Sequence, residues 1–395
     1  MNKTKLLSFF VTFVIMIALT PLIFNKLMNS KFNQMLQNLE KKGIVIKEIE
    51  DKSSYLTTDR VFEVIIPGNM IDNSGFIQSV KLNVESVFKN LPVTDVKFFG
   101  KILDVVTLDG SFESILKDKI NFLVVTPNFK VYRYKIKDNT IDLHDSLLIF
   151  KKVEGVFEYP QKNTLKVKKL LFKSKTQPVY FELKNYNNEY MEKEGIVSQK
   201  NSGDFFFSAQ NKKLSIFNLR SSTNIYPGKK LRIINSIDFD KADLFSFLSI
   251  NGFTSRVSIY NLDSALIKEM INADEYKKRA LMLKLLEKGF NTDLKANIKT
   301  VYLNKQNAGF LDLVLKAKIN PVNNLEEKLL NNDISFLDLK LNLKTTPALA
   351  TFLMNIEPKS AFIFALADKS GGIVKIRFEL KNGEVYINGE KIKSN

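Results

Sequence analysis

The amino-acid sequence predicts an α+β, β-rich fold, in which an N-terminal transmembrane helix is followed by a long, twisted, mostly antiparallel sheet with a few packing helices. Three observations support this prediction. Leu6–Phe24 is apolar and uncharged, many later segments alternate apolar and polar residues as strands do, and Leu262–Lys288 has a strong long-helix pattern. No long helix pattern separates the strand-like runs before Asp240, so a parallel βαβ sheet is disfavoured.

The apolar run near the N-terminus has the composition of a membrane anchor. Leu6–Phe24 contains no charged residue, follows Lys3 and Lys5, and has about the length that crosses a bilayer. A cleavable signal peptide would have a shorter apolar core and a small-x-small cleavage site, so an uncleaved signal anchor is favoured and cleavage is the alternative. The positive-inside rule then places Lys3 and Lys5 in the cytoplasm and the large remainder of the chain outside.

Composition limits the classes of partner. The chain has 395 residues, of which 45% are hydrophobic, and a net charge of +17. It can therefore bury a large core in one or two domains. Nucleic acid is disfavoured, because the arginines that base readout prefers are scattered singly and the excess charge is lysine on alternating strands. A solvated lysine-rich surface is the favoured interpretation, and contact with anionic lipid headgroups is the alternative. The absence of cysteine excludes disulfide support.

The predicted domain organisation follows changes in the residue pattern. Residues 1–25 are assigned to the tail and anchor, 26–42 to a juxtamembrane helix, and 43–239 to a β-rich region. Residues 240–395 are assigned to a region of helix and antiparallel sheet, which can be continuous with the preceding region. The juxtamembrane helix is predicted from apolar residues that recur every three or four positions before Gly43. Those positions are Leu27, Phe32, Met35, Leu36 and Leu39.

Local signals place the helices and turns of the C-terminal region. Asp243–Ile250 looks like a short helix. Leu262–Lys288 is predicted as a long helix that Gly289 ends, because glycine is the preferred residue after a helix C-terminus. The alternative is that Asn272-Ala273-Asp274 breaks it into two helices. Asn382-Gly383 stands between two alternating runs and is a strong hairpin signal.

The C-terminal strands alternate so regularly that their apolar side chains are predicted to share one face. In residues 311–319 and 337–344, every second residue is apolar, and all the residues between them except Val314 are charged or amide residues. Helices, a second sheet, another copy of the chain or a lipid could cover this face. It is therefore the candidate hydrophobic groove or interface. Its candidate residues are Leu313, Leu315, Leu339, Leu341, Phe378 and Leu380.

Phe206 is a further candidate because three phenylalanines occur in a row. Phe205, Phe206 and Phe207 lie on one predicted strand, where neighbouring side chains point to opposite faces. At least one of the three rings must leave the main apolar face. A second layer, a ligand groove or a partner would then cover that ring.

Two stretches of modest specificity resemble a known family. Leu285–Phe290 runs Leu-Leu-Glu-Lys-Gly-Phe, and Gly372–Ile392 runs Gly-x-Val-x-Ile-x-Phe-x-Leu-x-Asn-Gly-x-Val-x-Ile-Asn-Gly-x-x-Ile. With the anchor, they resemble the YdgA-like family of bacterial envelope proteins of unknown function, best over residues 240–395. The resemblance implies a single-pass bacterial inner-membrane protein with a large periplasmic domain and self-association. It supplies no catalytic residue, and the His-Gly-Pro turn expected in the first third is absent from the sequence.

The sequence offers no recognisable catalytic, metal or cofactor site. Zinc sites use several cysteine or histidine ligands, whereas the chain has one histidine, His144. Its neighbours Asp142, Asp145 and Ser146 alternate between strand faces, so a Ser-His-Asp triad is disfavoured. Phosphate-binding glycine motifs are absent from the sequence. The chain is predicted not to be an enzyme and to need no cofactor, and a hydrolase with paired carboxylates is the remaining enzymatic alternative.

Two functions from different classes remain. The favoured hypothesis is a non-enzymatic, membrane-anchored periplasmic protein that serves as a structural or interaction module of the envelope and self-associates. The alternative is a protein that binds or transfers lipid or another hydrophobic ligand in a groove on its sheet. A continuous, uncovered apolar trough would favour the carrier. A closed core with a flat apolar patch would favour the interaction module.

Overall fold

The computed structural model describes residues 26–392, except for residues 72, 73, 92, 93, 118, 128, 144, 159, 160, 211 and 272. The chain divides into two units, one ending at Gln177 and the other beginning at Pro178. More than half of the described residues lie in strands, and the strand pairings described below are antiparallel. The predicted α+β class is therefore wrong, because antiparallel sheet dominates the part of the chain that the structure describes and helices hold few of its residues.

The predicted membrane anchor has no support in the structure. Leu6–Phe24 lies outside the described residues. Among the residues that are described, no helix is both long enough and apolar enough to cross a bilayer. We therefore withdraw the predicted transmembrane helix from the fold, together with the prediction of a single-pass inner-membrane protein that has a periplasmic domain.

The first unit consists of helix α1 (residues 26–40) and an antiparallel sheet. Sheet neighbours follow the order β1–β2–β3–β4–β6–β7–β9–β10, and β8 pairs with the part of β9 that β7 leaves open. Its elements are β1 (Val45–Asp51), β2 (Thr57–Pro67), β3 (Ile77–Lys89), β4 (Val96–Thr107), β5 (Gly110–Ser111), α2 (Glu113–Leu116), β6 (Asn121–Thr126), β7 (Val131–Ile136), β8 (Asn139–Asp142), β9 (Ser146–Glu158) and β10 (Lys162–Ser174).

Helix α1 packs on this sheet through the apolar positions that predicted it. The ring of Phe32 is fully buried and lies 5.7 Å from the ring of Phe62, measured between centroids. Met35 and Leu36 pack against the same cluster, whereas Leu27 is half exposed. The sheet thus buries one stripe of the helix and leaves the rest to solvent, which is the usual arrangement of an amphipathic helix.

The second unit is a meander, in which each strand pairs with the next one along the chain. Helices lie in the connections that follow β15, β17 and β18. The elements are β11 (Val179–Lys193), β12 (Ile196–Ala209), β13 (Lys212–Tyr226), β14 (Lys230–Leu244), β15 (Leu248–Asp263), α3 (Ser264–Ile271), α4 (Glu275–Lys288), β16 (Phe290–Leu303), β17 (Gln306–Ile319), α5 (Leu325–Leu330), β18 (Leu337–Thr345), α6 (Pro347–Ile356), α7 (Ala361–Ala365), β19 (Val374–Lys381), β20 (Glu384–Ile387) and β21 (Glu390–Lys391).

The short helix predicted at Asp243–Ile250 is absent from the structure. This segment is a hairpin, in which Ala242 pairs with Ile250 and Leu244 with Leu248. Its apolar residues lie three or four positions apart because a tight turn separates two strand ends. Phe245, at φ +62°, begins that turn.

The predicted long helix is observed as two helices, α3 and α4, which is the alternative that the sequence left open. Asp274 caps the second one, α4, and its carboxylate accepts a hydrogen bond from the backbone N–H of Lys277 at 2.8 Å. Gly289 ends α4 at φ +71°, as predicted. The Asn382-Gly383 turn is also confirmed, because it joins β19 to β20 with both residues at positive φ.

Candidate functional site

The register of the second sheet places the six predicted groove residues of β17–β19 on one face. Residues directly opposite each other in an antiparallel pair share a face, and so do alternate residues along a strand. The pairs that join the predicted residues are Leu313 with Leu343, Leu315 with Leu341, Leu341 with Phe378, and Leu339 with Leu380.

One row of apolar side chains on this face crosses five neighbouring strands, from β15 to β19. The row consists of Val257, Leu294, Leu315, Leu341 and Phe378, in which each residue is directly opposite the next. With strands about 4.8 Å apart, the row is about 19 Å long. We call these five residues the trough.

Helices pack on the same face at the two ends of the strands. At one end, residues of α3 and α4 form a cluster with Ile259 of β15 and Phe290 of β16. At the other end, α6 and α7 pack on Val374 and Ile376 of β19, and α6 also packs on Val301 of β16. The helices therefore flank the trough on both sides.

The trough itself lies outside those helix clusters. None of its five residues belongs to them, and each is half-buried rather than buried. Leu380, by contrast, is buried to 6% exposure. The middle of the face is therefore a partly exposed apolar floor between two helical margins.

Beyond β15 the trough row continues with uncharged polar side chains. Val257 is opposite Asn235, Asn235 is opposite Thr223, and Thr223 is opposite Gln199. The Asn235 side-chain amide donates a hydrogen bond to the Thr223 hydroxyl at 2.9 Å. The row from β12 to β19 thus changes from polar to apolar without containing a charged residue, and we call this side of the sheet the uncharged face.

The opposite side of the same strands carries charge, and we call it the charged face. There Asp293, Lys316, Lys340 and Glu379 form the corresponding row. Lys340 Nζ lies 2.8 Å from Glu379 Oε1, and its hydrogen bond lowers the pKa of Glu379 below its ordinary value. A shallow cavity of about 390 Å³ on this face is lined by these four residues, among others.

Phe206, the seventh predicted residue, lies on the charged face, apart from the trough. Its ring packs edge-on against Phe217 at 5.3 Å, and Lys184 Nζ lies 4.9 Å from its centroid. Directly opposite it is Glu182, which is buried. Phe206 is therefore the ring of the Phe205–Phe207 run that leaves the apolar side, and a phenylalanine and a lysine pack against it.

The carboxylates whose pKa is lowered are held in local ion pairs or hydrogen bonds. Asp333 accepts a hydrogen bond from Lys328, and Glu384 accepts one from Lys391, so the pKa of each carboxyl is below its ordinary value. Within the described part of the chain, no cluster of His, Asp and Glu has the arrangement of a metal site. His144, the sequence-level candidate for catalysis, lies outside the described residues.

Comparison of the chain with protein-family models, curated proteins and solved structures gave no match. The resemblance to the YdgA-like family therefore stays a prediction. The sequence prediction of the groove omitted Val257 of β15 and Leu294 of β16, because only the strand register shows that they lie opposite each other and in line with Leu315. Alternation along β15 was the available signal, but it does not align one strand with another.

Proposed function

We propose that the second unit binds an elongated apolar ligand, such as the hydrocarbon chain of a lipid, in the trough. The observation that supports this proposal is the half-buried row of five apolar residues between two helical margins. Burial of apolar surface is favourable by about 25 cal/mol per Å². A chain lying along the row would remove this floor from water.

The charge distribution supports an uncharged ligand segment in the trough. The row contains no lysine or arginine that could hold a phosphate or carboxylate, and the lysines of these strands, such as Lys316 and Lys340, lie on the other face. Burying an unpaired charge against apolar side chains is costly. The part of the ligand that contacts the trough is therefore hydrocarbon.

Self-association through the same face is the second candidate. Beside the trough, α6 and α7 expose Ile356 and Phe362 to more than 60%. Exposed apolar groups of this kind next to a partly exposed apolar floor are typical of an interaction surface. A second copy of the chain would cover the trough in place of a lipid.

The experiment that tests both candidates is native mass spectrometry of the full chain with two matched variants. Leu315→Asp places a charge in the trough, whereas Val314→Asp places the same charge on the next residue, which faces the charged side. Nile red, an uncharged apolar dye, supplies a parallel binding measurement. We expect dye binding and any co-purified lipid mass to persist in Val314→Asp and to be lost in Leu315→Asp.

Other outcomes separate the candidates. A dimer that dissociates only in Leu315→Asp would support self-association in place of ligand binding. Equal dye binding by all three proteins would overturn the trough as the site. Circular dichroism of each variant checks that the sheet is intact.

A further inference from the structure

The first unit contains a cavity of about 640 Å³ between helix α1 and the strands β7 and β9. Its volume is within the range of about 300–1,000 Å³ that is usual for small-molecule sites. The trough belongs to the other unit, so this cavity is independent of the proposed function.

The floor of the cavity is apolar and comes from two elements. Met35 and Leu39 lie one turn apart on α1 and therefore face the same side of the helix. Tyr132 of β7 and Phe157 of β9 have their ring centroids 6.3 Å apart, and Phe157 is 38% exposed. Together they form an apolar strip that reaches solvent.

Phe129 completes the floor in a conformation that other groups hold in place. Its φ of +56° is uncommon for an aromatic residue. Its backbone N–H donates to the hydroxyl of the buried Thr126 at 2.9 Å, and its carbonyl accepts from the Tyr132 hydroxyl at 3.0 Å. Its ring lies 6.5 Å from that of Phe32. The surrounding structure thus maintains a locally strained residue, as is typical of preorganised sites.

The rim of the cavity is basic. Lys31, Lys42 and Lys130 line it, and none of the described lining residues is acidic. Gln34 and Asn38 add neutral amide groups from the exposed side of α1. A site with an apolar floor and positive charge at its edge is complementary to a molecule with a hydrocarbon chain and a negative head.

We propose that this cavity binds a single-chain anionic amphiphile, namely a long-chain carboxylate. The chain lies on Met35, Leu39, Phe129 and Phe157, and the carboxylate lies at the lysines of the rim. Lysine ammonium groups supply charge-assisted hydrogen bonds, which are stronger than neutral ones.

The test is a competition assay on the full chain with a fluorescent long-chain carboxylate as probe. The competitors are the carboxylate, alcohol and amine of one chain length. We expect the carboxylate to displace the probe best and the amine least. In Lys31→Gln/Lys130→Gln the affinity for the carboxylate should fall about tenfold or more, because hydrogen bonds to charged groups are lost.

A matched double variant controls for net charge. Lys41→Gln/Lys47→Gln removes two exposed lysines that do not line the cavity, so it should leave the affinity nearly unchanged. Equal weakening in both double variants, equal displacement by the alcohol, or no measurable binding would each overturn the proposal. Loss of carboxylate binding in Leu315→Asp would move the site to the trough and overturn the cavity assignment as well.

Discussion

Four aromatic rings and a guanidinium surround Phe32 in the first unit. The rings of Phe62, Phe88, Phe98 and Phe129 all lie within 6.5 Å of it, centroid to centroid. The Arg60 guanidinium lies over the Phe32 ring at 5.5 Å and pairs with Glu48. One side chain thus connects α1 with four separate segments of the unit.

Phe32→Ala should destabilise the first unit by about 3–5 kcal/mol, because it deletes a fully buried ring and leaves a cavity. Urea unfolding followed by circular dichroism measures the change. Phe99→Ala is the control, since Phe99 of β4 is 44% exposed and outside this cluster. If both variants lose the same stability, α1 is not anchored by Phe32.

The Tyr180–Glu182 pair of β11 makes stability depend on pH at the alkaline end. Burial, followed by the hydrogen bond to Glu182 Oε2, raises the pKa of Tyr180 from 10.0 to about 12. A group with a raised folded-state pKa adds stability that is complete below its unfolded pKa. That contribution is lost as the pH rises through the folded value. Tyr180→Phe removes the titrating group.

We therefore expect the wild-type protein to lose stability between about pH 10 and 12 more steeply than Tyr180→Phe. Urea unfolding at several pH values measures this difference. Ultraviolet titration should show one late-titrating phenol fewer in the variant. Identical pH profiles would show that the hydroxyl makes no such contribution.

At the scale of elements, Gly309 of β17 determines how α6 begins. Gly309 has φ +115°, and a Cβ on it would lie 2.1 Å from Thr346 Oγ1. That hydroxyl donates to the carbonyl of Ala308 and accepts from the backbone N–H of Leu349, which caps α6. Because Gly309 has no side chain, the Thr346 side chain can lie against β17 and cap α6.

Gly309→Ala should destabilise the second unit by about 1–3 kcal/mol, because the cost of alanine at a positive φ adds to the cost of losing the Thr346 cap. Hydrogen exchange in α6 should become faster, since the helix loses its cap. Gly371→Ala is the matched control. Gly371 also has positive φ, but nothing lies within 4 Å of its added Cβ. If the two variants lose the same stability, backbone strain alone explains the effect of Gly309→Ala, and Thr346 is not displaced.

The sequence predicts well those elements that depend on residues close together along the chain. Alternation of period two located β17, β18 and β19, and the glycine after α4 marked its end. The prediction of a helix at Asp243–Ile250 was wrong, because apolar residues on both sides of a tight turn have the same spacing as those of a helix. The segment's strand pairing with distant residues overrides that local pattern, as tertiary context commonly does.

The candidate site could be predicted only in part. Alternation placed Leu315 and Leu341 on one side of their strands, but register and covering elements depend on long-range pairing. Register shifts between Lys184 and Asn187, and between Gly203 and Phe205, show why counting along the chain does not align distant strands. The cavity beside α1 combines residues of three separate segments, and no local pattern brings them together.

At the scale of the whole molecule, the two proposed sites differ in electrostatics although the chain carries +17. The trough is uncharged, whereas the cavity of the first unit has a lysine rim. Salt shortens the Debye length from about 10 Å at 0.1 M to about 3 Å at 1 M. Only the cavity site depends on attraction between charges.

Raising the salt concentration from about 0.1 M to 1 M should therefore weaken binding of the carboxylate probe and leave Nile red binding unchanged or stronger. Fluorescence titration of both probes on the same protein preparation measures this. The Lys41→Gln/Lys47→Gln variant should show the wild-type salt dependence. Parallel changes for the two probes would mean that they share one site.

The meander of the second unit also has a consequence for how such a chain can diversify. Strands β12–β20 each bond to the strands before and after them in sequence. A duplicated or deleted hairpin would therefore leave every other pairing intact and change only the width of the sheet. Each strand added among β15–β19 with an apolar residue in the row would lengthen the trough by about 4.8 Å. Gene-level gain or loss of hairpins could thus tune the hydrocarbon length that such a protein accommodates.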